Sequence, residues 1–300
     1  MADSVSPRLR PEPPTPTVIA DIVARALLED LAGGDITSDA TVGPEVRALG
    51  VATTKAPLLA CGALVAEAVF RAVDPKLEFE TQVADGTWVP SNRPLWEVRG
   101  SARSILMAER TALNFVQHLS GVATLAHRFM REIPVGCNTR ISDTRKTTPG
   151  LRALERYAVR AGGAHNHRDA LGAGVLIKDN HIVAAGGIAA AVSRARARAP
   201  HTSKIEVEVA NLEQLQQALA VGVDVLMLDN FELAAIRKAV ALVDGRALVE
   251  VSGNVTLERV ADLARAGADV ISVGALTHSA PAVDISLSVR VPMPERPVAA

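Results

Sequence analysis

From Thr139 to about Leu276 the chain repeats one pattern: a short apolar run suited to a buried strand, then a longer stretch whose apolar residues recur every three or four positions. The strand-like runs are TRISD, GVLIKDN, KIEVEV, DVLMLDN, ALVEVSG and DVISVGA. The helix-like stretches are LRALERYAVRAGG, GGIAAAVSRARAR, NLEQLQQALAVG, FELAAIRKAVALV and VTLERVADLARAG. Strands alternating with helices at this spacing predict parallel strands joined by crossover helices. VGVDVLMLDN and AGADVISVGA echo each other 45 residues apart, and LIKDNH echoes LMLDNF. Such quasi-equivalent units favour a closed β/α barrel over an open doubly wound sheet. The first half reads differently. VIADIVARALLED predicts a helix that ends in the loop AGGDITSDA, and the segment from about Gly50 to Val98, broken by Asp-Gly and Pro, predicts a small sheet. A long helix follows from about Ser104 to Met130, with Arg110, Asn114 and His118 at four-residue steps on one stripe.

Composition narrows the function classes. The chain has 300 residues, 48% hydrophobic and 22% charged, enough for one large core or two modest ones. Its formal net charge of -1 provides no global field toward nucleic acid or an anionic membrane, so any cationic cluster is local and suited to a small ligand. Cys61 and Cys137 stand far apart without metal-ligand spacing and read as reduced thiols. The N-terminus carries five prolines in its first sixteen residues and reads as a disordered tail rather than a signal peptide. With no apolar run of membrane-spanning length, the expected location is the cytoplasm.

In a β/α barrel, active-site groups sit where strands end and loops begin. The strand-end residues here are Arg145 with Lys146, Lys178, Glu208, Asp229, Ser252 with Gly253, and Gly274. From Lys178 onward they are separated by 30, 21, 23 and 22 residues, about one unit each, which predicts a shared rim. Each has more than one reading. Lys178 suits either a Schiff-base lysine or an anion ligand. Glu206 and Glu208 share a strand face, with Glu208 nearer the C-terminal end. Asp229 suits a metal or sugar hydroxyls. Ser252-Gly253, read as immediately preceding a helix, and Gly274 suit either a phosphate cradle or simple turns. AGGAHNHRDALG adds His165, His167 and Arg168, but a His-x-His pair without a third ligand at suitable spacing makes a weak metal motif. The excess of cations (Arg145, Lys146, Arg168 and Lys178, with Arg110 as a further candidate) over the acids Glu208 and Asp229 suits a polyanion bearing carboxylates and phosphates, with the acids holding Mg2+ or ribose hydroxyls.

The segments EDLAGGDITSD, ERTALNF, HLSGVAT, DTRKTTPGLRALERYAV, GGAHNHR, VLIKDNHI, VEVANLEQL, LMLDNF, EVSGNVT and GALTHSAPAVDISL resemble, in order, the quinolinate phosphoribosyltransferase family. The resemblance covers nearly all the chain after the tail. It implies a type II phosphoribosyltransferase fold: an N-terminal open-faced α/β sandwich over 18–115 and 278–300, and an incomplete β/α barrel carrying the active site over 116–277, after a tail at 1–17. It implies that quinolinate and phosphoribosyl pyrophosphate become nicotinate mononucleotide, pyrophosphate and CO2 in NAD biosynthesis, with Mg2+ as cofactor. By matching motif, Arg110, Arg145, His167, Arg168 and Lys178 would hold the pyridine dicarboxylate. Lys146, Glu208 and Asp229 would handle phosphoribosyl pyrophosphate and Mg2+, with Lys178 also catalytic, and Ser252, Gly253 and Gly274 would cradle the 5′-phosphate. It further implies a homodimer, or a multiple of dimers, in which Arg110 enters the neighbouring subunit's site.

Three positions depart from the family pattern. Ala210 stands where an acid is usual after VEV, Ala173 where an Asp commonly precedes LIKDN, and Asp169 where an apolar residue is common after NHR. They bear on affinity and substrate identity. The alternatives are a same-fold pyrophosphorylase-like paralogue acting on another substrate, a Schiff-base lyase using Lys178, and a metabolite-binding protein on a degenerate barrel.

Overall fold

The computed structural model describes residues 11–291. Among them the strands are β1 (Arg47–Thr54), β2 (Leu58–Leu59), β3 (Glu78–Thr81), β4 (Trp88–Val89), β5 (Pro94–Ser101), β6 (Arg140–Ser142), β7 (Val175–Ile177), β8 (Ile205–Val209), β9 (Val225–Asp229), β10 (Leu248–Ser252), β11 (Val270–Ser272) and β12 (Ile285–Arg290). Two compact units divide them. The first takes the described residues up to Leu125, then Pro149–Gly162 and the described residues from Ala280; the second takes Ala126–Thr148 and Gly163–Ser279. The sequence placed these divisions near 115 and 277, and placed the helix Arg152–Ala161 in the barrel, whereas that helix groups with the first unit. Most of the expected tail, 1–17, lies outside the described residues, and a helix already begins at Pro16. The expected sandwich residues 292–300 also lie outside them.

In the first unit an antiparallel sheet runs in the order β12-β1-β5-β3, so the last strand pairs with the first. Along β1, buried and less buried residues alternate with a period of two, as a strand with one covered face requires. A Cβ at Gly50 would come within 2.9 Å of Val98 Cγ1 and 3.3 Å of Ile105 Cγ2, so glycine lets the long helix Ala102–Arg131 approach β1 closely. The same helix secures the returning C-terminal segment. The Gln117 side chain donates to Ile285 O at 2.8 Å, and a Cβ at Gly121 would collide with Pro281 O at 2.2 Å. The helix Ala63–Val73 was not read from the sequence. Its first amides, Gly62 N and Ala63 N, donate to the Asp85 carboxylate at 2.9 and 3.2 Å, and the Tyr157 hydroxyl donates to it at 2.7 Å. A distant Asp therefore caps this helix where a local Ser or Asp would normally do so. ITSDAT, read as loop, forms the short helix Ile36–Thr41.

In the second unit six strands are all parallel in the order β6-β11-β10-β9-β8-β7. One further parallel bridge joins Ser142 to His165, and no ladder among the described residues returns β7 to β6. The sheet is an incomplete barrel rather than the closed one that the internal echoes suggested, with the six strands where the sequence pattern placed them. Side-chain alternation sorts its two faces. Val207, Leu226, Leu228, Val251 and Ile271 are buried on one face. Leu176, Lys178, Met227, Asp229, Glu250 and Ser252, two apart on their strands or just past them, line a cavity on the other. Register carries the strand ends to one level, with Ser252 opposite Asp229 and Ser142 opposite Ser272. No helix among the described residues is long and apolar enough to cross a membrane.

Candidate active site

The cavity at the C-terminal ends of the barrel strands has a volume of about 540 Å3 and is lined by Arg145, Lys146, His167, Arg168, Lys178, Glu208, Asp229, Ser252 and Gly253, among others. Nine of the eleven site residues expected from the sequence are thus brought together. Gly274 does not line it but clears space for a residue that does: a Cβ there would sit 3.2 Å from Lys146 Cδ. Thr277 Oγ1, one turn on, donates to Lys146 O at 2.7 Å and fixes that backbone. Arg110 lies in the first unit, where it lines a separate cavity of about 230 Å3 with Asn114 and His118. The polar stripe on the long helix therefore faces a cavity, and His118 there is held 2.8 Å from the fully buried carboxylate of Glu155.

The loop after β6 and the His-Arg loop are tied together at Asp143. Its buried carboxylate accepts from His167 N at 2.7 Å and from Asn166 Nδ2 at 2.6 Å. Arg168 Nη1 donates to Gly174 O at 2.8 Å, while the Nε atoms of Arg145 and Arg168 are buried with no hydrogen-bond partner. Burial first, and then the nearby Arg145 charge, hold the Arg168 guanidinium below its ordinary pKa. Two crowded cations with unsatisfied donors favour an anion between them, because a buried charge without a partner is costly.

Lys178 pairs with Glu208, and its side chain remains 44% exposed. A Schiff-base lysine needs a desolvated amine, so this setting favours the anion-ligand reading. At the next two strand ends, Asn230 Nδ2 donates to Asp229 at 3.0 Å and Asn254 Nδ2 donates to Asn230 Oδ1 at 3.1 Å. Gly253 between them has φ +93, and a Cβ on it would lie 2.3 Å from Asn230 Oδ1. The helix expected immediately after Ser252-Gly253 begins only at Leu257, so a loop with left-handed residues Gly253 and Asn254, rather than a helix terminus, faces the cavity. Glu208 and Asp229 present carboxylate oxygens to one cavity, a donor set that fits Mg2+ shared with phosphate oxygens and water.

The sequence reading missed Thr144, Asn230, Glu250, Asn254 and Ser272 as lining residues. Glu250 had a usable signal, since it precedes Ser252 by two on a strand, as Met227 precedes Asp229. Glu250 Oε1 accepts from Ser272 Oγ and lies 3.6 Å from His167 Nε2, which is 3.1 Å from Glu206 Oε2. Burial first, and the Glu206 charge second, push the Glu250 carboxyl up to about 7.

The family model "Quinolinate phosphoribosyl transferase, C-terminal domain" matches residues 122–288, and its N-terminal companion matches residues 35–120. This chain belongs to the quinolinate phosphoribosyltransferase family. Among its relatives, a nicotinate-nucleotide pyrophosphorylase [carboxylating] of Mycobacterium leprae is 43% identical over 275 residues, 89% of this chain and 95% of that one. A probable enzyme of the same name from Bacillus subtilis is 40% identical over 262 residues, covering 87% and 90% of the two chains. The solved nicotinate-nucleotide pyrophosphorylase from Francisella tularensis superposes with a TM-score of 0.88 at 40% identity, covering 92% and 98%. The two quinolinate phosphoribosyltransferase domain models meet near residue 121, inside the long helix that runs from one compact unit into the other.

Proposed function

We propose that the protein joins quinolinate to C1 of phosphoribosyl pyrophosphate, releasing pyrophosphate and CO2 and leaving nicotinate mononucleotide in NAD biosynthesis. The observation that carries this reading is the charge sorting inside one cavity. Arg145 and Arg168, with buried unsatisfied guanidinium nitrogens, lie together, while Lys146, Lys178, Glu208, Asp229 and Ser252-Gly253 complete the rim.

Each group has a task that follows from its position. The Arg145 and Arg168 forks grip the planar dicarboxylate, so that the ring nitrogen meets the ribose carbon without diffusional search. Lys178 joins them and keeps Glu208 oriented through their ion pair. Lys146 neutralises charge as pyrophosphate departs, and the Glu208 and Asp229 carboxylates favour the cationic character that grows at C1. The Gly253–Asn254 turn and Ser252 receive the 5′-phosphate, with Gly274 leaving Lys146 room to extend. Mg2+, held by Glu208 and Asp229 directly or through water, would add Lewis-acid neutralisation of the pyrophosphate oxygens. After the carbon–nitrogen bond forms, the quaternised nitrogen stabilises the electron pair left on the neighbouring carbon as CO2 departs; that carbon then takes a proton from water, so the protein's part in the step is positioning.

A second copy of the chain would complete the site by bringing in Arg110, which in this chain lines a different cavity. Two free cysteines, Cys61 buried and Cys137 partly so, suit the reducing cytoplasm as the place of action. Purified protein supplied with quinolinate, phosphoribosyl pyrophosphate and Mg2+ yields nicotinate mononucleotide on this reading. Product from nicotinate but none from quinolinate would show a same-fold enzyme with another substrate.

A further inference from the structure

Near Arg168, His167, Glu206 and Glu250 form a cluster that the proposed reaction does not use. Their ligand-type atoms lie within 4.8 Å of one another, and both acids are buried. One Glu206 oxygen, Oε1, is buried without a hydrogen-bond partner. Such a His-and-two-acid group could be taken for a cation site, but the histidine's second nitrogen decides otherwise. Arg168 N donates to His167 Nδ1 at 2.8 Å, so Nδ1 bears a lone pair and the ring proton sits on Nε2, aimed at Glu206 Oε2 at 3.1 Å. A metal at Nε2 would require that proton on Nδ1, against the Arg168 N–H. The same bond opposes a doubly protonated ring. The Glu206 hydrogen bond first, with the Glu250 and Glu206 charges, raises the His167 pKa above its ordinary value against burial and the Arg168 charge, but a second ring proton would have to displace the Arg168 N–H from Nδ1 and break the hydrogen bond that holds the turn.

Both ring nitrogens are thus committed to protein groups, although the family resemblance assigned His167 to the substrate. What the ring does hold is the backbone of its own turn. Asp143 fixes His167 N and Asn166 Nδ2, and His167 Nδ1 fixes Arg168 N. We propose that Glu206 and Glu250 are positioning residues: they hold His167 as the neutral Nε2–H tautomer, which in turn sets the Asn166–Arg168 turn and the approach of the Arg168 guanidinium to the dicarboxylate. Ser272 Oγ donates to Glu250 Oε1, the same oxygen that faces His167 Nε2, and so fixes that carboxyl beside the ring. The burial that pushes Glu250 up to about 7 agrees with this arrangement, since a protonated Glu250 leaves a single carboxylate facing the ring.

The inference rests on the proposed function for the identity of its substrate, but its first test does not. In ligand-free protein carrying 15N-labelled histidine, two-bond proton–nitrogen correlation at neutral pH, with His167 assigned by the loss of its peaks in His167→Gln, should show a proton on Nε2 and none on Nδ1. An imidazolium, or the Nδ1–H tautomer, would overturn the proposal. The second test is kinetic. Glu250→Ala and Glu206→Ala should each raise the KM for quinolinate about tenfold or more while moving that for phosphoribosyl pyrophosphate by less than about twofold, and Glu250→Gln should recover most of the loss. Equal movement of both KM values, no movement, or no recovery by Gln would contradict it. If Glu250→Ala does not fold, Ser272→Ala should show the same one-sided shift, about threefold. A wild-type protein that makes no nicotinate mononucleotide would refute the proposed function and leave the tautomer result to stand alone.

Discussion

Arg145 and Lys146 are adjacent in sequence but differ in setting: Arg145 is half-buried with a sequestered Nε, whereas Lys146 is exposed at the rim. Their division of labour shows in kinetics. Lys146→Ala should lower kcat/KM for phosphoribosyl pyrophosphate about a hundredfold, whereas Arg168→Ala should raise the KM for quinolinate about 10- to 100-fold, as loss of a charged hydrogen-bonding group does. Steady-state kinetics with each substrate varied in turn would check both, and the reverse pattern would exchange the roles. Glu250 gives a pH prediction. Its carboxyl is raised from 4.5 to about 7 in the folded protein, so between those values the unfolded chain releases a proton that the native state keeps. The stability this group contributes is complete at low pH and is lost as pH rises through about 7. Chemical denaturation at pH 4.5 and pH 8 should therefore show Glu250→Gln gaining about 1–3 kcal/mol on the wild type across that interval. The rim cations were legible from the sequence because each ended an apolar run. The Asn230–Asn254 ladder was not, because a positive-φ asparagine looks like any loop residue until its partner is placed beside it.

At the scale of elements, the barrel strands were legible because each is a brief, nearly continuous apolar run followed by an amphipathic helix. The helices the sequence did not reveal had weaker local cues. Ala63–Val73 lacks a side-chain cap of its own and depends on Asp85, far along the chain, while Asp179–Ala185 buries no residue at all. The turn after β10 carries the sharpest structural constraint. Gly253→Ala would force a Cβ into a left-handed position 2.3 Å from Asn230 Oδ1, displacing the asparagine from Asp229 as well. We expect a loss of about 1–3 kcal/mol in stability, read by thermal or denaturant unfolding. A larger rise in KM for phosphoribosyl pyrophosphate than for quinolinate should accompany it. An unchanged midpoint would mean that the turn relaxes freely.

In the whole molecule, two compact units interleave along the chain; the resemblance implied the return of the C-terminal segment to the first unit, but nothing in the sequence pattern assigned Pro149–Gly162 to it. Arg152–Ala161 illustrates why: its amphipathic period identifies a helix but does not say which sheet it packs against. Subunit mixing tests whether a second copy supplies Arg110. Arg110→Ala and Lys146→Ala proteins, each impaired alone, should regain about a quarter of wild-type activity after their subunits are mixed and exchanged, because half the dimers would then hold one intact site. No recovery despite demonstrated exchange would place Arg110 in its own chain's site or outside catalysis. Transfer of a phosphoribosyl group to quinolinate in this cavity, with loss of one carboxyl, can be followed with quinolinate labelled in the 2-carboxyl carbon. With phosphoribosyl pyrophosphate and Mg2+, labelled CO2, pyrophosphate and unlabelled nicotinate mononucleotide should form in equal amounts. Pyrophosphate released with the label retained in the nucleotide, or no reaction with quinolinate at all, would contradict it.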